Sequence, residues 1–118
     1  MFNFEKLDVW QEAIAFADLV YSLTRNFPEQ ERFGLTNQMR RAAVSISSNI
    51  AEGSSRSSRT DLARFIEIAT GSVFEVVSQS IIGFRQGFLS EDSHREIYAA
   101  AEKQGRMLSG LRRSLTEG

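Results

Sequence analysis

Residues 58–88 read SRTDLARFIEIATGSVFEVVSQSIIGFRQGF, and the reading of this stretch decides the fold. It opens on Ser58-Arg59-Thr60-Asp61, an S-x-x-D capping box that starts a helix. Leu62, Phe65 with Ile66, Ala69, Val73 and Val76 then recur at helical spacing and form one apolar stripe. Phe74, Val77, Ile81, Phe84 and Phe88 form a second, at 3-4-3-4 spacing. Two stripes on one helix predict two buried faces. At ~1.5 Å per residue the helix is on the order of 40 Å long. Gly71 and Gly83 fall inside it, where they predict close packing of a neighbouring element.

Punctuation on either side cuts the rest of the chain into helices. Pro28 is the only proline, Gly and Ser cluster at 53–58, and a polar SEDS marks 90–93. No segment alternates with period two for long enough to make a strand. The first helix is predicted over about 8–26, opened by Asp8 and Gln11 as a D-x-x-Q capping box. Trp10, Ile14, Ala17 and Tyr21 line one of its faces, and Phe16, Leu19, Leu23 and Phe27 the next. The second spans about 36–53, with Met39, Ala43, Ile46 and Ile50 as its seam and Gly53 placed as a left-handed cap. The third spans about 58–87. The fourth spans about 91–115, with Glu91 and Asp92 at its positive end, Arg112 and Arg113 at its negative end, and Ile97, Ala101, Leu108, Leu111 and Leu115 facing inward. Four helices with short connections predict an all-α fold, an antiparallel up-down-up-down four-helix bundle forming one domain over 1–118.

Composition narrows the function classes. The chain contains no cysteine, which excludes a disulfide framework and thiolate metal sites. The N-terminus, MFNFEKLDVW, lacks the basic-then-apolar run of a signal peptide, and no stretch reads as a membrane span, so a bacterial-type cytoplasmic protein is expected. Formal net charge is −1 and the pI about 5.8, so there is no global basic signature for nucleic acid. The middle of the chain is nevertheless net positive. Residues 25–64 carry Arg25, Arg32, Arg40, Arg41, Arg56, Arg59 and Arg64 against Glu29, Glu31, Glu52 and Asp61.

The second helix carries an unusual face. Beside the Met39/Ala43/Ile46/Ile50 seam stand Arg40, Val44, Ser47 and Ala51, and then Arg41, Ser45, Ser48, Asn49 and Glu52. A solvated face repeats Lys, Glu, Gln and Arg; here the long charged groups sit only at the ends. Small side chains in the middle predict a second covering surface supplied by another subunit. Ser45, Ser48, Asn49 and Glu52 are then an oligomer interface or buried polar cluster, with Arg41, Arg56 and Arg64 as the ion-pair candidates. The alternative is that Asn49 and Glu52 lie at a wet helix end.

FGLTNQMRRAAVSISSNIAEGSSRSS, followed by DLARFIEIATGSVFEV, closely resembles the four-helix-bundle family named for proteins encoded in intervening sequences of 23S ribosomal RNA genes. LDVWQEAIAFADLVYSLTRNFP is similar to that family's first helix, so the resemblance covers roughly residues 7–89. It implies a four-helix bundle that assembles as a cyclic homopentamer, with no enzymatic activity. Relatives include the accessory variability protein of diversity-generating retroelements, a basic, nucleic-acid-binding pentamer. This chain departs from the pattern twice. Ser47 stands where the family usually has proline, in SIPSNIAEG, which bears on a helix kink. Its overall charge is slightly acidic, which bears on nucleic-acid binding.

Residues suited to catalysis are sparse. His94 is the only histidine, and Glu91-x-x-His94 matches half of a di-iron motif in a helix's first turn, where a surface capping role is expected instead. There is no nucleophile elbow, P-loop or dinucleotide-binding glycine pattern. Glu67 and Glu75 share a face of the third helix, as solvated or ion-paired groups. Trp10, Phe65, Phe74 and Phe84 sit at core spacing. No catalytic residue, metal, cofactor, membrane or small-molecule substrate is expected. Two functional readings remain. In the first, Arg40, Arg41, Arg56, Arg59 and Arg64 contact RNA or DNA phosphates. In the second, the protein is an interaction scaffold and the same arginines form intersubunit pairs with Glu52, Asp61 or Glu67.

Overall fold

The computed structural model describes residues 1–117. Four helices form: α1 (Asp8–Thr24), α2 (Leu35–Ser54), α3 (Arg59–Arg85) and α4 (Glu91–Thr116). Short 3-10 turns at Asn3–Lys6 and Glu29–Glu31 precede α1 and α2. Each helix packs on its neighbours in sequence, and α4 closes back on α1. The backbones of α1 and α3 do not approach closely, and the two helices lie on a diagonal. This is the four-helix bundle that the apolar periods predict, with a long axis of 45 Å set by the long α3.

The core is the seam of α2 (Met39, Ala43, Ile46, Ile50) closed by Phe16 and Val20 of α1, Ile66 and Val76 of α3, and Ile97 and Leu108 of α4. Gln104 is fully buried among them, and its Nε2 donates to the Val9 carbonyl at 3.1 Å, tying α4 to the first turn of α1. Ser58 caps α3 by accepting from the Asp61 N–H at 3.0 Å, and Ser90 caps α4 by accepting from the Ser93 N–H at 3.1 Å. Ser47 is buried and its Oγ donates to the Val44 carbonyl at 3.0 Å, and α2 runs on unbroken past it.

Several expectations are corrected. Asp8 does not cap α1. Leu7 holds the cap position, and the Gln11 side chain donates to the Glu5 carbonyl of the preceding turn at 2.9 Å. Gly53 is not a left-handed cap; it lies inside α2, and Gly87 carries the positive φ, +81°. A Cβ on Gly53 would lie 2.7 Å from that of Phe65, so this glycine lets α2 press onto α3. Gly83 is likewise crowded, by Leu89 and Phe27, whereas Gly71 faces open space.

The largest correction concerns the second stripe of α3. Phe74 is 70% exposed, Ile81 41% and Phe84 40%, although Phe65 is buried. α3 is also long and apolar enough by length and composition to cross a membrane, with a mean hydropathy of 1.3, yet only 39% of that window is buried in the bundle. It packs between α2 and α4 as a bundle helix, and its outward face is left uncovered by this chain.

Candidate functional site

The five arginines singled out in the sequence do not form one surface. Arg40 lies against the end of α1. Its Nε donates to Thr24 Oγ1 at 2.9 Å, its Nη2 donates to the Tyr21 carbonyl at 3.3 Å, and its guanidinium lies 4.6 Å from the centre of the Tyr21 ring. The last four carbonyls of a helix have no partner within it, and a cation there also meets the negative end of the helix dipole. Arg40 is thus a C-terminal cap supplied from α2. Arg59 does the same for α4, donating from Nε to the Leu115 carbonyl at 3.3 Å and from Nη2 to the Ser114 carbonyl at 2.5 Å.

The other three are less committed. Arg56 and Arg64 bracket the Phe65 ring at 4.9 and 5.3 Å, and Arg56 also stands 3.8 Å from the Glu52 carboxylate. Arg41 is exposed and has no ion-pair partner among the described residues. Arg56 lies fifteen positions after Arg41, a span of roughly 20 Å along a helix. The cations therefore divide between the two ends of the bundle.

The proposed polar cluster on α2 also divides. Asn49 Nδ2 donates to the Ser45 carbonyl at 2.8 Å and to Ser45 Oγ at 3.0 Å, and Ser72 Oγ of α3 donates to Ser45 Oγ at 3.0 Å. Ser45 and Asn49 thus belong to an α2–α3 contact within the chain, while Ser48 and Glu52 are exposed. Glu67 is ion-paired with Arg112 of α4, and Glu75 lines a polar groove with Arg41, Gln38 and Gln79.

His94 is corrected from a surface cap to an inter-helix tie. Its Nδ1 lies 2.9 Å from the Oγ of the fully buried Ser80, and its ring stacks on Phe84. Glu91 turns away to Arg95 at 2.6 Å, so the two residues do not converge on one point.

The most prominent uncovered feature is the α3–α4 face. Phe74 stands between two hollows there. One, of about 460 Å³, runs past Val77, Ile81, Tyr98 and Glu102; the other, of about 620 Å³, runs past Ser109, Gly110 and Arg113. A third hollow of about 630 Å³ lies on the α1–α2 face, lined by Tyr21, Asn37, Arg41, Val44 and Ser48. Sequence reasoning marked Phe74 as apolar at helical spacing and expected it to be buried.

The family model for the 23S rRNA-intervening sequence protein matches residues 5–110, through all four helices. The chain belongs to the 23S rRNA-intervening sequence protein family. The bundle is also similar to the solved structure of a protein of unknown function from the S23 ribosomal protein family of Bacteroides thetaiotaomicron. The TM-score is 0.79 at 22% identity, over 89% of this chain and 98% of that one, a likeness of fold. Among curated proteins, none matches this sequence.

Proposed function

We propose that this member of the 23S rRNA-intervening sequence protein family is a non-enzymatic, self-assembling scaffold in the cytoplasm. The observation that carries this reading is the uncovered outward face of α3. Its most apolar window is only 39% buried, with Phe74 70% exposed at its centre. Removing apolar surface from water contributes roughly 25 cal/mol per Å², so contiguous exposed apolar surface marks an interaction site. The resemblance of residues 7–89 to a family of cyclic homopentamers supports a ring of five as the form of that assembly. Static light scattering tests it: a mass near five times the 13.3 kDa of the chain is expected, and a monomer mass overturns it.

A second reading, phosphate contact with RNA or DNA, keeps three of its five arginines. Arg40 and Arg59 are engaged with helix carbonyls, but Arg56 and Arg64 flank Phe65 on an exposed end of the bundle. A ring would repeat that pair around its axis. Such binding would be insensitive to sequence and steeply weakened by salt. Titration of labelled RNA and DNA at two salt concentrations, with an Arg56→Ala/Arg64→Ala variant, decides it. Absence of binding at low salt removes this reading and leaves the scaffold.

A further inference from the structure

We propose that the turn between α1 and α2 holds a site for a terminal phosphoryl group, carried either by inorganic phosphate or by a phosphomonoester. The chain leaves α1 at Thr24, passes Pro28 and the 3-10 turn Glu29–Glu31, and enters α2 at Leu35. A hollow of about 210 Å³ lies in this turn, and Arg25, Arg32 and Arg40 all line it. Guanidinium groups pair bidentately with phosphate oxygens, so three of them around one hollow favour a doubly charged oxyanion. Cavities that take drug-sized ligands run to roughly 300–1,000 Å³. This one is smaller and suits a head group. The site lies at the opposite end of the bundle from Arg56 and Arg64, and it does not depend on self-assembly.

Two threonines wall the hollow, and they differ. Thr24 is satisfied: its Oγ1 donates to the Val20 carbonyl at 2.7 Å and accepts from Arg40 Nε at 2.9 Å. Thr36 is buried, at 9% exposure, and its Oγ1 has no partner. Threonines further along a helix find the carbonyl four residues back, as Thr70 finds that of Ile66 at 3.0 Å. Thr36 is the second residue of α2 and finds none. A buried hydroxyl without a partner destabilises the fold, and a phosphate oxygen supplies the missing acceptor. The same position brings the positive end of the α2 dipole to the hollow. The Thr36 and Asn37 N–H groups have no backbone partner among the described residues.

The opposing charges are weak. Glu29 is the only carboxylate on the hollow. Its side chain is 84% exposed and stands 3.6 Å from that of Arg32, itself 67% exposed, so this pair is solvated and contributes little. Glu31, the other acid of the turn, accepts from the Leu35 N–H at 3.0 Å. The negative end of α1 is covered by Arg40, which donates there from Nε and Nη2. Arg25 has no ion-pair partner among the described residues. Three arginines against one glutamate leave a surplus of two positive charges, the complement of a phosphoryl dianion.

Backbone amide NMR of isotope-labelled protein tests the site, with sodium phosphate, O-phosphoserine and dimethyl phosphate titrated at constant ionic strength. Saturable shifts at Thr36 and Asn37 are expected with the first two, and the tighter of them gives the source, free anion or esterified head group. Dimethyl phosphate, a singly charged diester like those of nucleic-acid backbones, should bind about tenfold more weakly. Arg25→Gln/Arg32→Gln changes two exposed positions and should weaken phosphate binding about tenfold, with the rest of the spectrum unchanged. Thr36→Val should melt at a higher temperature than the parent yet bind phosphate more weakly, a combination that damage to the fold does not produce. The absence of saturable shifts at residues 36 and 37, equal binding of the diester, or parental affinity in both variants would overturn the site.

Discussion

Arg59 Nη2 donates to the Ser114 carbonyl at 2.5 Å, so the first residue of α3 closes the last turn of α4, 55 residues further along the chain. Arg40 performs the same service for α1 through the Tyr21 carbonyl. Both helix ends gain an added donor at a last-turn carbonyl and a positive charge at the negative pole. Arg59→Ala should therefore lower stability by about 1 kcal/mol, with fraying confined to the end of α4. Urea melts give the loss, and hydrogen exchange at residues 111–116 locates it. Unchanged exchange there would show that the cap contributes nothing.

Gly53 and Gly71 should respond oppositely to alanine. At Gly53 the new methyl meets Phe65 Cβ at 2.7 Å and Leu62 Cδ1 at 2.9 Å, so α2 and α3 must separate. The expected cost is about 1–3 kcal/mol. At Gly71 nothing lies within 4 Å, and the helix gains about 1 kcal/mol from the better helix former. Thermal melts of the two variants side by side check the sign of each. A stabilised Gly53→Ala would contradict the close α2–α3 packing.

Gln104 is a polar group inside the core with one satisfied end. Its Nε2 reaches the Val9 carbonyl, while its Oε1 is buried without a partner. Gln104→Leu removes both the bond and the unsatisfied oxygen while nearly keeping the volume, and should stay within about 1 kcal/mol of the parent. Gln104→Ala leaves a cavity and should cost about 2–4 kcal/mol. Denaturant titrations of both variants test the contrast, which equal losses would refute.

The bundle was legible because the apolar residues of α2, α3 and α4 keep a helical period between clear breaks, and local period is what a sequence displays. Contacts that depend on distant residues were not. Nothing near Arg40 or Arg59 announces that the ends of α1 and α4 arrive beside them, so both read as phosphate contacts or as partners for carboxylates. Gly53 sits where a left-handed cap would serve, but α2 continues to Ser54 and the glycine answers to Phe65 instead. Gln104 had a usable signal: it falls on the Ile97/Ala101/Leu108 seam, an inward position for a polar residue. The second stripe of α3 was read correctly as apolar and periodic. Period alone says that a face wants cover, not whether the cover comes from the same chain.

That distinction is decided by sedimentation velocity on the parent chain and on Phe74→Ser across a hundredfold dilution. Phe74 is 70% exposed in the single chain, so the substitution should leave the fold intact. The parent is expected to sediment as one species several times the 13.3 kDa of the chain, and Phe74→Ser as monomer or as a species that dissociates on dilution. A parent that sediments as a 13.3 kDa monomer throughout, or a Phe74→Ser variant that assembles as tightly as the parent, would contradict self-assembly through this face.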